Sequence, residues 1–233
     1  MTKKELVIGI VLTVSFFGVL GLMFSPIWSG KTFVEYADDL FCSISKGSVY
    51  FIPEVGKEIE QVKGYKLVAT IKVPDSDTAK KMALLYKNAE VETKIVGNEM
   101  TINGDLYKIL KCALIDADAL YKNRNEMIQN KYGYSGREIL YYWWYSLKQI
   151  EKIFKNEGRF REAIIIEDVI TKAIEPAYNY YGIKEENIRD VLGIVAGLLL
   201  FYVIYTVWWG FAIYYLFEGF GLKVTKAKEK REV

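Results

Sequence analysis

The chain has 233 residues, with 31 lysines and arginines against 29 aspartates and glutamates, and no histidine. An apolar fraction of 52% at a formal net charge of +2 excludes a disordered chain and a nucleic-acid binder that works by neutralising phosphates. The missing histidine excludes Ser-His-Asp and Cys-His catalysis and histidine-ligated metals, and two cysteines are too few for a four-thiolate site.

Residues 1–5 form a short basic start with Lys3 and Lys4, and from Leu6 to Gly30 there follow 25 residues without a charged side chain. A bilayer core takes roughly 20 apolar residues as helix, so a transmembrane helix is expected over 6–27, with Trp28 as its interface anchor. A secretory signal also opens with lysines before an apolar run. This run is longer than a signal's, however, and Ser25-Pro26-Ile27-Trp28 makes a poor cleavage site, so an uncleaved anchor is expected.

Residues 31–134 read as an α+β domain. Thr32, Phe33, Tyr36, Ala37, Leu40, Phe41 and Ile44 follow helical spacing up to Gly47, and Ser48–Ile52 reads as a strand or extended link ending at Pro53. Tyr65, Leu67, Ala69, Ile71 and Val73 alternate with polar residues, which predicts a half-buried strand stopped by Pro74. A helix capped by Ser76 or Asp77 follows, with Ala79, Met82, Ala83 and Tyr86 on one face. Alternating runs on either side of Gly97-Asn98 predict a β-hairpin. Asn103-Gly104-Asp105 then turns into a helix with Leu106, Leu110, Ala113, Ala117 and Leu120 along its core face. Strand, helix, strand, strand, helix suits a small antiparallel-containing sheet covered on one face by helices.

Residues 135–183 read as a helical hairpin. Ser135-Gly136-Arg137-Glu138 is a capping box, behind which Leu140, Trp143, Leu147, Ile150 and Phe154 recur at helical spacing. Gly158 breaks this helix, and Phe160, Ala163, Ile166, Ile170, Ala173 and Ala177 line the next, with a kink expected at Pro176. The run Tyr141-Tyr142-Trp143-Trp144-Tyr145 would cover every face of its helix. One core cannot bury all five, so an interaction surface is expected there. Tyr178, Tyr180 and Tyr181 suit the headgroup level of a membrane.

A second transmembrane helix is expected over 189–217, because Val191 to Phe217 is 27 residues without a charge. Gly193 and Gly197 form a GxxxG pair for helix packing, and Trp208, Trp209, Tyr214 and Tyr215 would form the inner interface belt. Residues 218–233 are a basic tail with Lys223, Lys226, Lys228, Lys230 and Arg231. Basic residues at both ends place both termini in the cytoplasm and the central part outside it, at the cell membrane. That central part holds 24 basic and 25 acidic residues, without bulk preference for nucleic acid or anionic lipid.

Cys42 and Cys112 permit one disulfide in an oxidising compartment; the alternative is two buried thiols. Asp38-Asp39, Asp116 with Asp118, and Glu167-Asp168 match no calcium loop and read as solvated faces rather than catalytic or metal-binding pairs. No cofactor motif is present, and the spans lack the charged residues of an ion path. The expected protein is a non-catalytic integral membrane subunit that assembles or stabilises a larger complex. Its partners would be other membrane subunits or itself, together with membrane lipid and without nucleic acid. An extracytoplasmic ligand sensor is the second expectation, and a homo-oligomeric channel or transport component the third.

Overall fold

The structure is a computed structural model that describes residues 3–28 and 30–222. In chain order the elements are α1 (Lys3–Met23), α2 (Phe33–Ser45), α3 (Ile52–Glu58), β1 (Lys66–Lys72), α4 (Ser76–Asn88), β2 (Glu92–Val96), β3 (Glu99–Asp105), α5 (Leu106–Tyr121), α6 (Asn125–Tyr132), α7 (Gly136–Asn156), α8 (Phe160–Val169), α9 (Glu175–Asn179) and α10 (Ile188–Gly219). Two 3-10 turns, Lys46–Val49 and Ile59–Val62, flank α3, and a π-helical turn, Ile170–Ile174, joins α8 to α9. The fold is α+β, with a small antiparallel three-stranded sheet and two helices long and apolar enough to cross a membrane. The chain divides into a unit of residues 45–185 and a unit formed by the residues before and after it.

In the unit that holds the chain ends, α1 and α10 pair along their lengths. At 1.5 Å per residue the 21 residues of α1 reach about 32 Å and the 32 residues of α10 about 48 Å, against roughly 30 Å of hydrocarbon. Helix α2 also belongs to this unit, although the sequence reading grouped it with the α+β domain. Its Phe33 ring meets Phe201 of α10 edge to face at 5.3 Å. The basic tail residues Lys223, Lys226, Lys228, Lys230 and Arg231 lie outside the described residues.

The 45–185 unit is built on the sheet β1-β3-β2, antiparallel throughout. Leu67, Ala69 and Ile71 of β1 and Met100 and Ile102 of β3 are buried on one face, while Lys66, Val68, Thr70 and Lys72 are exposed on the other. The β2–β3 turn is the two-residue Gly97-Asn98 loop, where Gly97 takes φ +59°, the sign such tight hairpin turns require. Helices α4, α5 and α7 cover the buried face, and α8 with α9 lies behind α7 and α5. Gln149 of α7 guards the edge of β1, accepting from Lys72 N at 2.9 Å and donating to Lys72 O at 3.0 Å. Sheet and helical hairpin share one hydrophobic core, so no boundary falls at residue 134.

Several local expectations are corrected. Residues 48–52 are not extended. Pro53 sits in the first turn of α3, where its missing N–H costs nothing, so it starts a helix rather than ending a strand. Asp75, not Ser76 or Asp77, caps α4, accepting from Asp77 N and Thr78 N. Asn103-Gly104-Asp105 is the end of β3, and Asp105 caps α5 directly. Phe160 is exposed at 62% while the rest of its stripe is buried. The π turn carries the chain into Pro176: Glu175 N bonds to Ile170 O, five residues back, where the ordinary helical ladder would bond four back. The two cysteines are not bonded to each other. Cys42 lies on α2, and Cys112 is a buried thiol on α5.

Candidate functional site

Helix α7 is phased by its start. Ser135 Oγ accepts from Glu138 N at 3.4 Å and donates to Glu138 Oε2 at 3.1 Å, so the glutamate returns to the serine hydroxyl rather than to its amide. From that start Leu140, Trp143, Leu147, Ile150 and Phe154 are fully buried at spacings of three and four. The five aromatics therefore divide. Tyr142 and Trp143 are core residues, and Trp143 meets Tyr86 edge to face at 5.5 Å. Tyr141 is exposed at 45%, and Trp144 and Tyr145 are half-buried. Of the five residues expected to form an interaction surface, only Tyr141, Trp144 and Tyr145 are thus accessible.

These three form a continuous aromatic wall. Tyr141 stacks on Trp144 at 6.2 Å between centroids and lies 6.0 Å from Tyr145. Together with Ile174, Glu175 and Tyr178, Tyr141 and Trp144 line a cleft of about 340 Å³ with Leu140 at its base. Glu175 is held at the wall by the Trp144 indole, whose Nε1 donates to Oε1 at 2.9 Å. Among the described residues no lysine or arginine pairs with this carboxylate. Tyr178 already serves as a cation partner: the Arg137 guanidinium lies 5.9 Å from its ring and 5.5 Å from that of Tyr181.

The densest polar cluster is buried. Asp116 on α5 is fully enclosed and accepts from Lys131 Nζ at 2.7 Å, Tyr132 OH at 2.5 Å and Trp143 Nε1 at 2.9 Å. The solvated acidic face read at Asp116 and Asp118 is corrected here: only Asp118 reaches the surface, paired with Lys122 and Tyr50. Cys112 lies beside the cluster, 3.7 Å from Tyr132 OH and 3.4 Å from Lys131 Nζ. Burial, with Asp116 adding to it, pushes the Cys112 thiol up, and burial does the same to the Tyr132 phenol. A thiol pushed up is a weak nucleophile at neutral pH. All three donors to Asp116 are satisfied inside the fold, so the cluster is built to hold α5, α6 and α7 together. Among the described residues no group of three or more metal-ligating side chains converges.

A second cluster gathers the two ends of the 45–185 unit. Lys46 is 3% exposed, and its Nζ donates to Ile183 O at 2.6 Å and to Tyr180 O at 3.3 Å. Tyr121 OH donates to Lys46 O, and Asn123 Nδ2 donates to Ile183 O at 2.8 Å. Burial pulls the Lys46 amine down, opposed by Glu185, while burial and then Glu185 push Tyr121 up to about 12. Nothing in the local sequence marked Lys46, because its acceptors stand more than 130 residues away.

In the other unit, α1 and α10 come into close backbone contact at glycines outside the expected pair. A Cβ on Gly9 would lie 2.7 Å from Leu216 N, and one on Gly219 would lie 2.6 Å from Leu6 Cα. Gly193 and Gly197 are exposed, with open space where a Cβ would stand. Trp208 and Trp209 are interhelical contacts: Trp208 Nε1 donates to Leu12 O at 3.2 Å, and Trp209 lies on Phe16 at 4.6 Å. Tyr205, which the sequence reading passed over, stacks on Phe16 at 4.2 Å and donates to Phe16 O at 3.0 Å. Tyr214 and Tyr215 follow a turn beyond the tryptophans, and Trp28 packs edge to face on Phe33 at 5.4 Å. Comparison with known proteins finds no matching family, no matching curated protein and no matching solved structure.

Proposed function

We propose that the protein is a non-catalytic integral membrane subunit that assembles into a larger membrane complex through its spans. The observation that carries this reading is the division of labour among glycines. Gly9 and Gly219 are used up in pairing α1 with α10, whereas Gly193 and Gly197 have open space where a Cβ would stand, Gly197 at a cavity it shares with α1 and α2. Between helices in lipid, small residues allow the backbones to approach and gain dispersion and polar contacts, so a bare GxxxG strip suits a further helix. The 45–185 unit lies on the extracytoplasmic side in this reading, and Lys3, Lys4 and the basic tail lie in the cytoplasm. The absence of histidine, the enclosed Asp116 and the raised Cys112 thiol support a role without chemistry.

The test is native mass spectrometry of the chain extracted from its own membranes in mild detergent. An assembly larger than the monomer is expected, lost in a Gly193→Leu/Gly197→Leu variant that retains the α1–α10 pair. A lone monomer under those conditions ends the proposal. A second reading, ligand binding by the 45–185 unit, is favoured by the cleft at Trp144 and Glu175.

A further inference from the structure

The geometry points to a binding site for a small alkylammonium ion in the cleft between α7 and α9. This deepens the ligand-binding reading and rests on it. Tyr141, Trp144 and Tyr178 present aromatic surface to the cleft, and Glu175 places a carboxylate among them. An aromatic face carries negative quadrupole charge and attracts a cation, most strongly where water is partly excluded. A carboxylate beside such rings adds full charge to the same preference. Glu175 is fixed rather than free to swing, because Trp144 Nε1 holds Oε1 at 2.9 Å. That bond consumes a lone pair, and among the described residues no lysine or arginine forms a salt bridge with the carboxylate, although Arg137 lies 5.9 Å from the Tyr178 ring of the same cleft.

The rest of the lining sets the ligand's shape. Leu140 and Ile174 supply apolar contact beside a single side-chain amide, Asn179, which suits methyl or methylene groups around a nitrogen better than a hydrated metal ion. A metal would need several oxygen ligands, and the cleft has one carboxylate. At about 340 Å³ the space lies near the small end of ligand pockets, which run from roughly 300 to 1,000 Å³. Of the cleft's rings, Tyr178 already meets one cation, the Arg137 guanidinium at 5.9 Å.

The experiment titrates the full chain in non-ionic detergent with choline and, in parallel, with 3,3-dimethylbutan-1-ol, its neutral isostere. Binding is read by calorimetry and by the shift of the Trp144 indole N–H resonance, which is identified by its loss in Trp144→Phe. Saturable choline binding at least tenfold tighter than the alcohol is expected, a difference of about 1.4 kcal/mol. Glu175→Gln keeps an acceptor for Trp144 and removes the charge, and should abolish the preference while leaving alcohol binding unchanged. The inference is overturned, with ligand binding left standing, if both probes bind equally or if Glu175→Gln leaves the preference intact. It falls together with the ligand-binding reading if neither probe shifts the Trp144 resonance.

Discussion

At the scale of single residues, Asp116 shows how much one carboxylate can depend on distant sequence. It lies on α5, but its donors Lys131, Tyr132 and Trp143 come from α6 and α7, up to 27 residues later. A charge in such a site is tolerable because every donor around it is matched; removing the carboxylate leaves a lysine, a phenol and an indole without their acceptor. Asp116→Ala should therefore cost about 3–5 kcal/mol of stability, and Asp116→Asn distinctly less. Urea titration of the detergent-solubilised chain, followed by tryptophan fluorescence, measures both. A cost for the alanine variant no larger than that of a surface substitution would show that the cluster holds nothing. Sequence alone places Asp116 and Asp118 two apart on a helix and cannot say that one points inward. Here they differ completely, one enclosed and one on the surface.

At the scale of elements, the periodic signals were the legible ones. β1, the Gly97-Asn98 hairpin, the core face of α5 and the buried stripe of α7 follow from spacing alone, because burial on one face imposes a period of two or about 3.6. The failures have physical causes. Helix α6 is short and mostly polar, burying only Ile128 and Tyr132, a single i,i+4 pair, so no period could announce it. Pro53 stops a strand and starts a helix with equal ease, and only the following Val55 and Ile59, both buried, decide between them. The cleft was half legible. Its wall came from the aromatic run on α7, but Glu175 and Tyr178 arrive from α9 after a π turn, and no local pattern joins the two.

Glycines set how closely α1 and α10 can pack. Gly9→Leu should separate α1 from α10 and lower stability by about 1–3 kcal/mol, the usual cost of forcing extra methylenes into a packed contact. Gly18→Leu, which meets open space, should leave the pair unchanged. Thermal unfolding followed by calorimetry distinguishes them. Equal melting temperatures for the two variants would mean that the glycine contact does not hold the pair.

For the whole molecule, stability should depend on pH through Glu58. This residue on α3 faces Asp168 of α8. Burial and the hydrogen bond to Asp168 raise its pKa above the ordinary carboxylate value, and Lys172, 2.9 Å from Asp168, opposes the shift. With its folded pKa raised, the folded chain keeps the Glu58 proton after the unfolded chain has lost it. Its contribution is thus complete below the unfolded value and is lost as pH rises through the folded one. Other carboxylates, Glu138 and Asp75 among them, shift downward and give the opposite slope, so the quantity to measure is a difference. Glu58→Gln should gain stability relative to the parent as pH rises from about 4.5. The gain stays small because Glu58 is partly in solvent. Parallel pH curves for the two proteins would remove Glu58 from the account.

The pairing of α1 with α10 also sets the order in which that unit can be made. Tyr205 and Trp208 find their acceptors on Phe16 and Leu12, at sequence separations of 189 and 196. At about 5–20 residues per second of synthesis, the second span follows the first by roughly 10 to 40 s. Throughout that interval the face of α1 around Gly9 and Phe16 has no mate from its own chain, while the whole 45–185 unit is being translated. A newborn α1 must therefore keep that face unpaired or lend it to something else, and its pairing with α10 waits until α10 has been made.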